Sequence, residues 1–398
     1  MFIHYIASAA AVLLNFGILY QDKPQKKESD VPITSLPANR DLISPPNEDD
    51  ARKAIQRGIT FLIKDQNTDG SWGGPRNKMN TDSFANVATH HAWTVATTGL
   101  VCSSIVELTD SPEALAACDR GLDYICENAI LKRPDDWDND NVWGQIYGLQ
   151  GIAKCLAHPR YKDPAKATKL KKAAAEFLNG LKKFRSPRGG WGYYADADAA
   201  WRPEWATSFT TAAGVIALCD AKDVGIPVDA DLIEKAVMAV ENSRLPNGAY
   251  TYSVEAIPDP SRLEGIDTTK GSLGRIQVCN LALLRGGRKV TTEQLKKGLN
   301  EFFEHHKFLD VGRMKPIPHE AYYAVAGYFY FFGHYYASRV LTALPEKERA
   351  AYIGDLRKHI IKTIEGDGSM WDFYISSHTR AYGTSFGIMT LGATLIKG

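Results

Sequence analysis

Arg57-Gly58-Ile59-Thr60-Phe61-Leu62-Ile63-Lys64-Asp65-Gln66-Asn67-Thr68-Asp69-Gly70-Ser71-Trp72-Gly73-Gly74 is the stretch that decides the fold. Its first half completes an amphipathic helical pattern that opens near Asp50 and ends at Asp65. From Gln66 onward, Asn, Asp and Gly supply the positive-φ positions that a tight reversal needs. Beyond the turn, Phe84 to Leu108 is apolar nearly all round, and a helix without a polar face must be buried on every side. The unit is a hairpin: a half-exposed helix, a Gly-Trp corner and a buried helix.

The same unit recurs. Openings of basic residue, small residue and apolar pair stand at Arg57-Gly58, Arg120-Gly121, Lys172-Ala173, Lys235-Ala236 and Lys297-Gly298, with a weaker sixth near Arg357. Successive starts lie 63, 52, 63, 62 and 60 residues apart. Apolar helices are expected at 141–158, 204–221, 273–285, 319–344 and 380–397, with charged amphipathic partners at 113–128, 166–183, 231–243, 292–306 and 346–365. Linear helical solenoids commonly repeat at about 34–47 residues. The longer period and the count of six predict an all-α protein, an (α/α)6 toroid of about six hairpins, with an inner ring of apolar helices and an outer ring of amphipathic ones.

Outside the repeats, residues 1–20 read as a signal peptide or N-terminal anchor, because Tyr5 to Tyr20 is apolar except for Ser8 and Asn15. Residues 21–49 carry five prolines, many charges and no aromatics, the composition of a disordered linker. The toroid is expected over 50–398. An exported protein follows, with membrane association only through the N-terminal segment if it is retained. A formal charge of +1 argues against a nucleic-acid partner. The six cysteines form no disulfide framework and sit in apolar helical runs, so buried thiols are expected.

The first unit resembles the QW motif of the squalene–hopene and oxidosqualene cyclases: Arg57-Gly58, Phe61-Leu62, Gln66, Gly70 and Trp72, in that order. The resemblance implies that Gln66 bonds the next outer helix and that Trp72 stacks over its end. Later copies decay. Gly190-Trp191 survives while Lys182 replaces the Gln, Gly248-x-Tyr250 stands in the fourth unit, and Gly368-x-x-Trp371 in the last. These residues are structural and specify a fold rather than a reaction.

A class II cyclase would also need D-x-D-D, one carboxyl being kept protonated by burial. Asp138-Asn139-Asp140-Asn141 approaches it at the start of an inner helix, and Asp196-Ala197-Asp198-Ala199 approaches it in a turn; both lack the last Asp. For Asp138 and Asp140 the helix-cap reading is favoured over the catalytic one. Protein prenyltransferases share the fold but bind zinc through Asp-x-Cys and a distant His. No Asp-x-Cys occurs in this chain, so no metal and no cofactor is expected.

Two constellations remain as site candidates. The aromatic run 322–336 offers Tyr322, Tyr330 and His334 to a ligand, or packs between the two rings. Polar residues at the starts of the inner helices would gather at one rim: Asp138, Asp140, Glu204, Asp267, Arg275, His319, Glu320, His378 and Arg380. His378 and Arg380, following Trp371 and Asp372, are the foremost catalytic candidates. The function expected is binding of an apolar or isoprenoid-like molecule in the central cavity, the incomplete Asp motif arguing against cyclisation itself. A carbohydrate-active ring and a non-catalytic envelope scaffold are the alternatives.

Overall fold

A computed structural model of the chain describes residues 45–74, 87–131, 141–192, 205–254, 265–373, 376 and 378–395. Among them there are α-helices, short 3-10 turns and two isolated antiparallel bridges, but no strand. The outer helices are α1 (Glu48–Asp65), α3 (Pro112–Glu127), α5 (Pro164–Lys183), α7 (Ala230–Asn242), α9 (Thr292–Glu304) and α12 (Glu346–Ile361). The inner ones are α2 (Val87–Leu108), α4 (Asn141–Ala157), α6 (Ser208–Asp223), α8 (Leu273–Arg285), α11 (Phe329–Ala343) and α13 (Thr379–Ala393), and a short α10 (Lys307–Gly312) follows α9. None of the described helices is long and apolar enough to cross a membrane.

Side-chain caps set the starts of five of the six outer helices. Asn47 and Asp50 close a capping box on α1, which moves its start ahead of the expected Asp50 to Glu48. Ser111, Asp163 and Asp229 cap α3, α5 and α7, and Thr291 with Gln294 closes a second box on α9. The inner helices α6, α8, α11 and α13 begin with no such bond from their own cap residue.

The ring closes. Each inner helix packs on the next in the order α2, α4, α6, α8, α11, α13, and α13 packs back on α2. Glycines permit the approach: a Cβ on Gly151 would lie 2.7 Å from the Gly99 backbone, and one on Gly274 would lie 3.3 Å from the Gly333 Cα. Outer helices lie against their inner partners, with α1 also on α13.

Each corner is held by the following repeat. Gln66 Nε2 donates to Ala117 O on α3 (2.8 Å), and Arg120 Nε donates to Gln66 Oε1 (3.0 Å). Lys182, standing where a Gln was expected, reaches the α7 cap residue Asp229 at 3.6 Å. Trp72 is fully buried, its indole N–H donating to Leu62 O (2.7 Å) while its backbone N–H donates to the Thr98 hydroxyl (3.0 Å). Trp191 repeats both bonds, with Leu181 O and Thr211. Gly70, Gly189 and Gly368 share a φ near +90°, and a Cβ on any of them would strike the backbone of Arg120, Lys235 or Arg57. The last contact joins the ends: Arg57 Nη2 of the first repeat donates to Glu365 O of the last at 2.7 Å.

The last corner corrects one assignment. Met370, not Trp371, occupies the Trp position, fully buried with its N–H on the Thr384 hydroxyl (2.9 Å). The reason is register: two residues follow Gly70 and Gly189 to reach Trp72 and Trp191, and two residues follow Gly368 to reach Met370. Trp371 turns outward, half-buried, and donates to Glu365 Oε1 (3.1 Å). A second difference concerns the fifth inner helix, expected from His319. It starts at Phe329, because His319, Tyr323 and Ala324 hold positive φ and the segment folds into a 3-10 turn instead.

The core is continuous through both rings, and the central axis is filled with rings. Phe329, Phe332 and Tyr336 project inward from one face of α11 and meet Phe209, Tyr147, Trp143 and Phe386 from the other inner helices. All six cysteines are free thiols, and only Cys126 among them is not fully buried.

Candidate functional site

The inner helices run parallel, so their first turns converge. Ring contacts join Trp143 to Phe209 (6.0 Å), Phe209 to Phe329 (5.0 Å) and Trp93 to His378 (5.6 Å), and the Arg275 guanidinium sits over Phe329 at 6.0 Å. These residues come from the N-caps and first two turns of the six inner helices, and they gather at one end of the ring, its mouth, above the aromatic floor. Trp93, Trp143, Tyr252, Tyr328, Phe373 and Tyr382 are half-buried there. Rings so placed offer an apolar face and, from the tyrosines and tryptophans, a polar edge.

His378 lies in this mouth, 1% exposed, but Arg380 does not join it. Residues two apart on a helix point apart: Arg380 goes outward to Asp367 and to the Ser369 hydroxyl (2.8 Å), its guanidinium over Phe61. The partner of His378 is His90 on α2, with Nε2 to Nδ1 at 3.2 Å and the rings stacked at 5.5 Å. The backbone N–H of Gly74 donates to His378 Nδ1 (3.1 Å), which fixes the tautomer. His378 Nε2 therefore carries the proton and donates to His90. Trp93 packs edge-on against both imidazoles. Such a directed pair can hold a proton at a defined atom and pass it to a bound group.

Asp372 is fully buried beneath Tyr382. Its Oδ1 accepts from the Tyr382 hydroxyl (2.8 Å) and the Thr379 hydroxyl (2.9 Å), and its Oδ2 accepts from the Phe331 N–H (3.2 Å). Burial pushes this carboxyl up to about 6, although those donors and the Arg313 guanidinium favour its charged form. Asp372 caps α11 from the neighbouring repeat and orients Tyr382 at the mouth.

On the facing wall, His319 Nδ1 lies 2.7 Å from Ala324 O, and its Nε2 lies 3.0 Å from the Tyr328 hydroxyl and 3.5 Å from that of Tyr252. Burial lowers its pKa, so the imidazole is held neutral. Arg275 and Asp267 are buried supports. Arg275 donates to Tyr250 O and Gly271 O, and Asp267 accepts from the Tyr252 N–H (2.6 Å). Glu320 is exposed, beside Lys315.

Of the remaining candidates, Tyr330 and His334 face the outer ring rather than the mouth. The Tyr330 hydroxyl donates to His359 O (2.9 Å), and His334 meets His306. They stand on the side of α11 opposite Phe332 and Tyr336, so packing between the rings accounts for them. Tyr322 is 55% exposed on the strained turn. Asp138, Asp140, Asp196, Asp198 and Glu204 lie outside the described residues.

Sequence reasoning missed His90, Trp93, Trp143, Tyr252 and Tyr382. A His-His pair opening an otherwise apolar helix (His90-His91) was the available signal for the first. The opposite end of the axis carries a cavity of about 220 Å³ lined by Gln150, Lys154, Asp220, Arg285, Tyr336 and Arg339, among others. Asp220 ties it together, accepting from Gln150 (3.1 Å) and pairing with Arg285 (3.0 Å). That opening sets this charged cluster against an apolar wall of Ile216, Leu281 and Leu284.

Closed rings of six helical hairpins are a class of protein, the α/α toroids, and this chain has their fold. Neither a protein-family model nor a curated relative matches the sequence. Solved structures do. An unsaturated glucuronyl hydrolase specific for heparin is similar over 87% of this chain and 97% of its own, with 10% identity and a TM-score of 0.59. Cellobiose 2-epimerase from Bacillus thermoamylovorans is similar over 86% and 98%, with 11% identity and a TM-score of 0.56. A tyrosine variant of the type II terpene cyclase MstE from Scytonema is similar over 87% and 97%, with 12% identity and a TM-score of 0.50.

Proposed function

We propose that this chain is an exported carbohydrate-active toroid that binds a saccharide in the mouth at the first turns of its inner helices. The observation that carries the reading is the mouth itself: half-buried rings edged with hydroxyl and imidazole groups, standing over an axis already filled with side chains. A sugar presents apolar C–H faces and a rim of hydroxyls, which such rings match. Each ring contact contributes roughly 0.5–1.5 kcal/mol, so Trp143, Tyr252, Tyr328 and Tyr382 together give useful affinity. His378 and His90 are the acid–base couple of this reading, and Tyr382, oriented by Asp372, is a second polar contact. The sugar-acting neighbours above support it as bearers of the same fold. The apolar segment 5–20 supports export, which would bring the mouth to extracellular glycans.

A second reading keeps the apolar or isoprenoid-like ligand. Its support is the Gln66–Gly70–Trp72 corner, the Scytonema cyclase likeness and a lumen wall of Phe209, Phe332 and Phe386. It requires those rings to part, and Asp372 is already committed to three donors rather than poised to protonate an alkene. The two readings separate in one experiment. Purified full-length chain is titrated with a panel of oligosaccharides, and in parallel with squalene and polyprenyl diphosphates, following tryptophan fluorescence. Saccharide binding should saturate and weaken about two- to tenfold in Trp143→Ala. Retention of squalene or a polyprenyl diphosphate, with no response to any saccharide, would reverse the order of the two.

A further inference from the structure

The cavity at the end of the axis opposite the mouth measures about 220 Å³, more than the roughly 150 Å³ that suffices for benzene. The helices α4, α6, α8 and α11 build it, mostly from their C-terminal halves. Helical spacing gives it two levels. Ile216 precedes Asp220 by four residues and Leu281 precedes Arg285 by four, so on each helix the apolar side chain lies one turn, about 6 Å, deeper than the charged one. Leu284 and the Tyr336 ring complete the apolar part, and Lys154 joins the charged rim.

The rim has more donors than acceptors. Asp220 is its one carboxylate, and both oxygens are engaged: Oδ2 accepts from Gln150 Nε2 (3.1 Å), and Oδ1 pairs with Arg285 Nη2 (3.0 Å). Lys154 Nζ stands 3.9 Å from Asp220, beyond hydrogen-bond reach, and meets no other acceptor among the described residues. Arg285 uses Nη2 for Asp220 and Asp223, while its Nε and Nη1 meet no acceptor among the described residues. Arg339 is committed to Glu107 and lies over the Tyr335 ring. Cations near the last turns of helices complement the negative pole of the dipole. That accounts for their presence, but not for an ammonium held off its neighbours above an apolar hollow.

We propose that this cavity binds a small monocarboxylate with an apolar body, of about the size of benzoate. Its carboxylate sits at the rim on the Lys154 ammonium, with the Nε–Nη1 edge of Arg285 as the second donor. Its body lies deeper, among Ile216, Leu281, Leu284 and the Tyr336 ring. The order of the two levels sets the orientation, charge outward and apolar end toward the axis. An amine of the same shape fits less well, because Asp220 has no oxygen left for it. A neutral molecule would leave the Lys154 donors as they are. The site is separate from the mouth, since the aromatic rings that fill the axis stand between them.

The test is fluorine NMR of para-fluorobenzoate titrated with the full-length chain, with fluorobenzene and para-fluorobenzylamine as the neutral and cationic matches. The acid should bind saturably, with millimolar or tighter affinity, and more tightly than either match. Lys154→Gln should weaken it about tenfold, and Lys154→Arg should keep most of the affinity. Leu284→Ala, at a partly buried position, should weaken it about two- to fivefold. Circular dichroism and urea midpoints identify folded variants, and the two positions give independent readouts. Absence of saturation, equal binding of fluorobenzene, or preference for the amine would overturn the site. So would an affinity indifferent to both Lys154→Gln and Leu284→Ala.

Discussion

Replacing Trp72 by alanine tests the corner geometry on which the ring depends. The side chain is fully buried, and its ring packs so closely on Gly121 that a Cβ there would lie 2.6 Å from it. Removing a buried Trp costs about 3–5 kcal/mol through lost transfer energy and the cavity left behind. Its indole N–H also donates to Leu62 O, a carbonyl in the last turn of α1; losing that bond alone is worth about 1–1.5 kcal/mol. Trp72→Phe should therefore lose about 1–2 kcal/mol, and Trp72→Ala about 3–5. Trp371→Ala, at a half-buried position with one side-chain bond, should lose under about 1.5 kcal/mol. Met370→Ala at the true corner should lose about 2–5 kcal/mol. Urea midpoints at constant slope report the four differences. If Trp371→Ala costs as much as Trp72→Ala while Met370→Ala is mild, the register of the last corner is wrong, and the account of ring closure fails with it.

Other outcomes follow from single contacts. Gly151→Leu should prevent α2 and α4 from meeting and cost more than about 2 kcal/mol, visible as a lowered urea midpoint. Arg57→Ala removes the bond between the first and last repeats and should raise hydrogen exchange in the Glu365–Met370 corner while leaving the Trp191 corner unchanged. Asp372 gives a pH signature. Its folded pKa is raised from 3.8 to about 6, so the folded chain binds the extra proton, and stability should fall as pH rises from about 4 to 6. Over that window the contribution is roughly 3 kcal/mol at most. Asp372→Asn should flatten that segment of the stability–pH curve, and an unchanged slope would remove Asp372 as its source.

The architecture was legible in the sequence because it is written locally. Helical periodicity, Gly corners and the Arg57-type openings each lie within one repeat, and the even spacing turns six local signals into one ring. The site was harder to read because it is made between repeats. His378 could be named as a polar residue at a helix start, yet its partner His90 comes from 288 positions away along the chain. Arg380 was expected beside it, but two residues along a helix rotate a side chain by about 200°, which sends it to the outer ring. Tyr330 and His334 are i,i+4 neighbours on α11, as are Phe332 and Tyr336, and nothing in a run of aromatics says which face looks inward. Trp371 was assigned to the corner by residue type, whereas the count from the positive-φ glycine decides it.

The two ends of the ring differ for a reason that links the fold to its site. Five of the outer helices satisfy their first N–H groups with their own side chains, as at Asn47, Ser111, Asp163, Asp229 and Thr291, so they need nothing from elsewhere. The inner helices α6, α8, α11 and α13 do not, and α11 takes a carboxylate from the neighbouring repeat instead, at Asp372. Partners for these first turns must therefore come from other repeats or from a ligand. The same turns carry Tyr382 and the His378–His90 pair, so polar side chains accumulate at the end where backbone donors converge. At the other end the inner helices finish with Lys154, Arg285 and Arg339 near their last carbonyls, which complements the opposite pole of the helix dipoles. An axis closed by aromatic rings keeps the two poles apart, and a ligand entering either end would meet a surface of different chemistry: ring faces and imidazoles at one, ion pairs around Asp220 at the other.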